Sequence, residues 1–194
     1  MITSIKEHFL KLIMKELDSN KSVWNSSKYF YKIKELSIDQ RGRIGEHFLR
    51  DVFKELNMNV EYVNNNHGDF DLIVNLIKIE VKLATLDLNN KFQHEGIKSS
   101  KKWDIIAFVD VGPENLYVTF INKNKFTFDN KRGTFILHGE MRNSHFRGKD
   151  NINNRATGAG YKVDFPLKKL IETKTIKDLE NSFNNEIEQK NWKH

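Results

Sequence analysis

His67-Gly68-Asp69-Phe70-Asp71-Leu72-Ile73-Val74-Asn75-Leu76-Ile77-Lys78-Ile79-Glu80-Val81-Lys82 is the stretch that decides how this chain is read. Two runs of β-branched and aliphatic residues meet at Asn75-Leu76, the pattern of a β-hairpin. Side chains alternate along a strand. Asp69, Asp71 and Ile73 therefore share one face of the first strand, and Lys78, Glu80 and Lys82 one face of the second. A tight turn at Asn75-Leu76 pairs Val74 with Ile77, Ile73 with Lys78 and Leu72 with Ile79. Carried further, the same register sets Asp71 opposite Glu80 and Asp69 opposite Lys82. Opposed residues have Cβ atoms roughly 4.5–5.5 Å apart, and like charges so placed destabilise a sheet.

A carboxylate pair kept in that position needs a compensating cation. Hard divalent ions select oxygen ligands of this kind, and Mg²⁺ is commonly held by one or two carboxylates, with water and substrate phosphate completing its shell. Lys82, next to them, would orient or deprotonate an attacking water or stabilise charge on a phosphate. These residue types at this spacing point to a metal-dependent phosphodiesterase site.

An acidic residue opening one strand, followed by Glu-x-Lys in the next, resembles the PD-(D/E)xK nuclease superfamily, to which restriction endonucleases belong. The matching residues are Asp71 and Glu80-Val81-Lys82. The family's Pro-Asp dipeptide is absent, since Phe70 precedes Asp71 and Gly68 precedes Asp69. Asp71 is favoured as the ligand because it opens the apolar strand, with Asp69 as the alternative. The resemblance implies Mg²⁺ held by Asp71, Glu80 and the Val81 carbonyl, with Lys82 positioning the water. It also implies a restriction-endonuclease-like α/β core, a mixed central sheet flanked by helices.

Working outward, Ser37-Ile38-Asp39-Gln40 reads as a capping box, opening a helix to about Asn57 with Ile44, Phe48, Val52 and Leu56 as its apolar stripe. Gly45 would let that helix approach the sheet, and Arg41 and Arg43 are candidates for phosphate contact. The resemblance makes Glu46 a candidate third carboxylate, the alternative being an ordinary exposed glutamate. Val60 and Tyr62 mark a strand before the hairpin, and His67 lies in the polar loop between. Residues 89–102 read as a short, basic, partly helical connection. The resemblance makes Gln93 and His94 candidates to approach the site, against a plain connecting role. Trp103–Val111 is a nearly continuous apolar run, suited to a strand buried on both faces, and Leu116–Ile121 alternates as the next strand.

The resemblance thus spans residues 38–122 of a single domain covering 1–194. Residues 123–165 contain strand candidates at Phe126–Phe128 and Thr134–Leu137 and then a basic, Asn- and Gly-rich stretch. There Arg142, His145, Arg147, Lys149, Arg155 and Lys162 suit DNA phosphates or base edges, or else form a solvated loop. The glycines of Ala156–Tyr161 lack nucleotide-loop spacing, so no nucleotide cofactor is expected. Residues 166–194 are expected to be helical, one helix starting at Pro166 and a last one carrying Ile176, Leu179, Phe183 and Ile187. Residues 2–17 read as an N-terminal amphipathic helix.

Composition narrows the classes. With 38% hydrophobic and 30% charged residues the chain is globular, and its net charge of +6 suits an anionic partner. It has no cysteine, which excludes disulfides, thiolate zinc sites and cysteine nucleophiles. No apolar run reaches the roughly 20 residues of a transmembrane helix, so no membrane partner and a cytoplasmic location are expected. The leading expectation is a Mg²⁺-dependent endonuclease similar to a small type II restriction enzyme, acting on double-stranded DNA as a homodimer with one site per strand. The alternatives are a junction-resolving or repair nuclease, a non-catalytic DNA-binding module, and a scaffold with a coincidental motif.

Overall fold

The hairpin turn is made by two residues in the left-handed region, Asn75 at φ +48° and Leu76 at φ +70°. Two such residues form the turn whose twist suits a two-residue hairpin. Asn75 is tied down on both sides, its N–H donating to Asn59 O and its Oδ1 accepting the Asn59 N–H. Leu76 is simply exposed there.

The computed structural model describes residues 4–17, 29–63, 68–87, 89–129, 134–137, 146–147 and 161–188. In chain order the elements are α1 (Ile5–Leu17), α2 (Ile38–Glu55), β1 (Val60–Tyr62), β2 (Leu72–Val74), β3 (Ile77–Thr85), β4 (Lys91–Ile97) and β5 (Ile105–Val111). Then come β6 (Leu116–Asn122), β7 (Phe126–Asp129), β8 (Thr134–Leu137), β9 (Phe146–Arg147), β10 (Tyr161–Pro166) and α3 (Ile176–Glu188). The fold is α/β around a mixed five-stranded sheet of order β1-β2-β3-β5-β6. β1, β2 and β3 run antiparallel in turn, β5 is parallel to β3, and β6 is antiparallel to β5. Every residue of β5 is buried, as its apolar run requires at the sheet's interior.

Strand periodicity divides the sheet into two faces. Val81, Ala107, Val109 and Val118 meet the three described helices in one core, with Phe9, Phe48, Phe53 and Phe183 supplying its bulk. Ala84, Ile106, Phe108 and Tyr117 point the other way. There the covering layer is not helical. Phe92 and Ile97 of β4 and Val163 and Phe165 of β10 lie across it as a two-stranded antiparallel ribbon, joined by Phe126, Phe135 and Leu137 of β7 and β8. Among the described residues the sheet has helices on one side and strands on the other, where helices were expected around it.

Two further expectations change. The connection through residues 91–97 is a strand, its side chains alternating exposed and buried from Lys91 to Glu95. Pro166 does not start a helix. It ends β10, followed by a single 3-10 turn over Leu167–Lys169, and the described C-terminal helix is α3 alone. A proline lacks the N–H a ladder needs and is confined to edge strands such as those of the two-stranded β4–β10 ribbon.

α2 forms as its caps dictate. Ser37 Oγ accepts the Gln40 N–H at 3.3 Å and Gln40 Oε1 accepts the Ser37 N–H at 2.9 Å. At the other end Asn57 sits at φ +57°, its N–H reaching Lys54 O while that of Met58 reaches Phe53 O, a left-handed helix stop. No described helix is long and apolar enough to cross a membrane.

Candidate active site

The hairpin ladder follows the expected register through Leu72–Ile79 and then stops. At Asp71 the two strands part. Its backbone N–H donates to Ile79 O at 2.9 Å, its carbonyl turns to β1 to accept the Val63 N–H, and its side-chain Oδ2 accepts the Val81 N–H at 2.7 Å. A carboxylate thus replaces the backbone carbonyl that a continued β2 would have offered to Val81. In an antiparallel ladder a residue presents N–H and C=O to the same neighbour, so the Val81 carbonyl faces the edge that Asp71 occupies. The expected pairings of Asp71 with Glu80 and of Asp69 with Lys82 are not made as ladder pairs, because the strands have already diverged.

Asp71 and Glu80 nevertheless feel each other strongly. Burial pushes the Asp71 carboxyl up to about 7, and the Glu80 and Glu46 charges add to that, against the Val81 N–H and Lys82. Asp69 is not in this group; the cation that feels it is Lys123. Of the two aspartates, Asp71 is the one brought to Glu80.

Glu80 is 2% exposed and carries two ammonium partners. Lys82 Nζ lies 2.7 Å from Glu80 Oε1, two residues along the same strand face. Lys101 Nζ, from the loop between β4 and β5, bonds both Glu80 oxygens, at 2.9 and 3.0 Å. Opposite Lys82, β4 carries Gly96 at φ +72°, in the irregularity where the β4–β10 register shifts. A Cβ there would stand 3.8 Å from Lys82 Nζ, so the bulge brings bare backbone close to the ammonium.

Glu46 comes from α2. The preceding Gly45 is buried against β3, and a Cβ on it would meet Leu83 Cβ at 3.3 Å and Val81 Cγ1 at 3.4 Å. The close approach brings Glu46 within electrostatic reach of Glu80 and Lys82. Tyr62 Oη of β1 donates to Glu46 Oε2 at 2.8 Å. Burial raises the Glu46 carboxyl, the Tyr62 hydrogen bond opposing and Glu80 adding to it. The Tyr62 hydroxyl is pushed up to about 12 by burial and by Glu46, so it remains a donor at neutral pH. Neither Lys101 nor Tyr62 is singled out by the sequence, since both reach the cluster through tertiary contacts.

The described candidates for DNA contact are dispersed. Arg43 is half-exposed and reaches Glu16 of α1 at 3.6 Å. Gln93 and Lys162 lie on the outer face of the β4–β10 ribbon on either side of Glu95, Gln93 bonding it at 3.2 Å and Lys162 standing 3.9 Å from it. His94 turns inward, its Nε2 2.7 Å from Asp110 Oδ1, both side chains fully buried. Arg147 is described only as a backbone partner of Thr134. His67, Arg142, His145, Lys149 and Arg155 lie outside the described residues.

Burial, with the Glu80 charge adding to it, raises the Asp71 and Glu46 carboxyls, so those two are short of positive charge while Glu80 is paired with lysines. Carboxylate oxygens suit Mg²⁺ rather than a soft metal. Among the described residues no three His, Cys, Asp or Glu side chains lie as a ready-made metal-holding group, and the two ammonium ions occupy Glu80. The chemistry of Asp71, Glu80 and Glu46 fits a divalent ion once Glu80 releases part of that hold. No protein-family model, curated protein or solved structure matches this chain.

Proposed function

We propose that this chain is a Mg²⁺-dependent DNA endonuclease of the PD-(D/E)xK kind, acting on double-stranded DNA as a homodimeric type II restriction enzyme. The observation that carries the reading is the Asp71 carboxylate seated on the Val81 N–H, beside the buried Glu80–Lys82 pair. An acidic residue and Glu-x-Lys on neighbouring strands, with a glutamate arriving from the preceding helix, is the arrangement the resemblance implies. The antiparallel hairpin followed by a parallel strand within residues 38–122 supports a restriction-endonuclease-like core.

On this reading Asp71 and Glu80 hold the ion, with the Val81 carbonyl on the same strand edge and Glu46 beside them. Bound there, Mg²⁺ supplies Lewis-acid stabilisation of charge on the scissile phosphate. Lys82 is fixed through Glu80 Oε1, and an ammonium has three N–H donors. Those not spent on Glu80 can orient the attacking water or meet a phosphate oxygen. The Tyr62 hydroxyl donates to Glu46 and restrains that carboxylate. Arg43, Gln93, Arg142, Arg147, Lys149, Arg155 and Lys162 supply the cations and amides for DNA, and a two-fold pair of sites would cut both strands.

Supercoiled plasmid and a branched junction, each incubated with Mg²⁺ or EDTA, test this with wild type and Glu80→Ala. Discrete plasmid fragments that disappear with EDTA and with the substitution are expected. Cutting of the junction alone would transfer the protein to shape-reading nucleases. DNA binding with no cleavage under any condition would leave a binding module.

A further inference from the structure

Glu80 has two oxygens, and one lysine holds both. Lys101 Nζ straddles Oε1 at 2.9 Å and Oε2 at 3.0 Å, whereas the ion pair with Lys82 is at Oε1. The two lysines differ in mounting. Lys82 projects from the middle of β3, between Val81 and Leu83 that pack toward the helices, and is fixed by its strand. Lys101 projects from the loop between β4 and β5, where its own N–H makes a 3.3 Å turn contact to Lys98 O and its carbonyl accepts Lys123 Nζ. Its side chain reaches Glu80 from an anchored loop backbone rather than from the sheet ladder, and a four-carbon lysine stem has the rotatable bonds to take its ammonium elsewhere.

We propose that Lys101 is an exchangeable counter-ion: it occupies Glu80 while no metal is bound, yields a Glu80 oxygen to the incoming divalent cation, and then turns its ammonium to the substrate phosphate. This rests on the nuclease reading above and names a residue that the Asp…Glu-x-Lys pattern does not contain. The physical case is one of competition for the same lone pairs. An ammonium bridging both oxygens of a buried carboxylate fills the seat that a divalent cation needs. Lys82 and Lys101 already crowd Oε1, and a divalent ion arriving at the same carboxylate would add its charge to theirs in a water-poor site, where like charges repel strongly, so one ammonium has to leave. With Lys82 alone, Glu80 Oε2 would lose the Lys101 contact, and a buried carboxylate oxygen left without its cation is costly. A side chain that fills the seat and can leave it meets both requirements. The displaced ammonium stays on a short tether beside the place where the phosphate must sit, and compact, rotatable lysine donors suit phosphate oxygens.

Mn²⁺ binding by the free protein, read as loss of the free-ion electron paramagnetic resonance signal, separates this from the nuclease reading. Wild type, Lys101→Met, Lys101→Gln, Lys123→Met and Glu80→Gln are compared, each checked for folding by circular dichroism. Lys123 donates to the Lys101 carbonyl and lies over Trp103 rather than pairing with Glu80, so its removal measures the deletion of one nearby charge together with one tie of the Lys101 backbone. Lys101→Met and Lys101→Gln should bind Mn²⁺ about tenfold or more tighter than wild type, and Lys123→Met within about threefold of it. Glu80→Gln should lose binding. With Ca²⁺ present, Lys101→Met should in turn bind a DNA duplex more weakly, with a salt dependence shallower by about one phosphate contact. If wild type binds Mn²⁺ through Glu80 but the Lys101 variants bind no tighter than Lys123→Met, the counter-ion role is wrong and the metal site stands. If Mn²⁺ binds none of the proteins, or binds Glu80→Gln as well as wild type, the metal site itself falls and the proposal with it. Tighter Mn²⁺ with unchanged DNA affinity would overturn the transfer to phosphate.

Discussion

Replacing Asp71 by asparagine should stabilise the metal-free protein while abolishing its function. The folded chain keeps the Asp71 proton up to about pH 7, whereas the ordinary value is 3.8. The folded state therefore binds more protons than the unfolded state between those values, and stability is lost as pH rises through that window. The difference amounts to up to about 4 kcal/mol at pH 8, where both states have released the proton. An asparagine presents an oxygen to the Val81 N–H as the acid does, without the charge that burial, Glu80 and Glu46 oppose. Thermal unfolding of wild type and Asp71→Asn at pH 4.5 and pH 8 measures the effect. At pH 8 the variant should melt higher by as much as about 8–16 °C, given 2–4 °C per kcal/mol for a chain of this size. At pH 4.5 the gap should shrink to about 1 kcal/mol, because the folded wild type is then mostly protonated at this position while the unfolded chain has largely lost the proton. Mg²⁺ should raise the melting temperature of wild type at pH 8 and leave the variant unmoved. The reasoning fails if Asp71→Asn melts below wild type at pH 8, or if its gain is the same at both pH values.

Three further expectations concern the frame around the site. Leu76, exposed at φ +70°, holds a conformation that suits glycine, so Leu76→Gly should stabilise by about 1 kcal/mol in urea unfolding. Gly45→Leu would drive a side chain into Val81 and Leu83, so chemical denaturation should show a loss of about 1–3 kcal/mol. The same variant should lose divalent-cation affinity, because α2 can no longer bring Glu46 to the sheet. Removing the His94 ring from the fully buried Asp110 leaves that carboxylate without its partner. His94→Ala should cost about 3–5 kcal/mol, and the double variant His94→Phe, Asp110→Leu should recover most of it, as measured by denaturant midpoint.

Local signals carried much of this architecture. Ser37 and Gln40 announce α2 because a capping box is complete within four residues, and Asn75-Leu76 sets the hairpin register because the turn and the apolar pattern agree. Trp103–Val111 reads as the sheet's interior because a strand buried on both faces has no polar alternation to interrupt it. The failures share a cause in distance along the chain. Lys91–Glu95 does alternate, yet its partner is β10, some seventy residues later, so the basic segment reads locally as a partly helical connection. Pro166 offers the same signal whether it opens a helix or ends a strand, and only pairing with Lys91 decides.

At the site, Asp71, Glu80 and Lys82 are legible because two strands joined by a tight turn fix their neighbourhood. The way Asp71 meets β3 is not legible, since it depends on the chain just before β2 leaving the ladder to accept the N–H of Val63, just past β1. Lys101 and Tyr62 were invisible for the same reason. Nothing within several residues of either marks it, and a loop conformation or an adjoining strand brings each to a carboxylate.

The most direct test of the central claim, that Asp71 and Glu80 form one divalent-metal site with Lys82 beside it, is to locate Mn²⁺ by anomalous scattering in a crystal of the wild-type protein. The account predicts a peak in contact with carboxylate oxygens of both Asp71 and Glu80, on the edge faced by the Val81 carbonyl, with Lys101 Nζ withdrawn from at least one Glu80 oxygen. Saturating Mn²⁺ that gives no peak between Asp71 and Glu80, or that binds elsewhere in the chain, would contradict it.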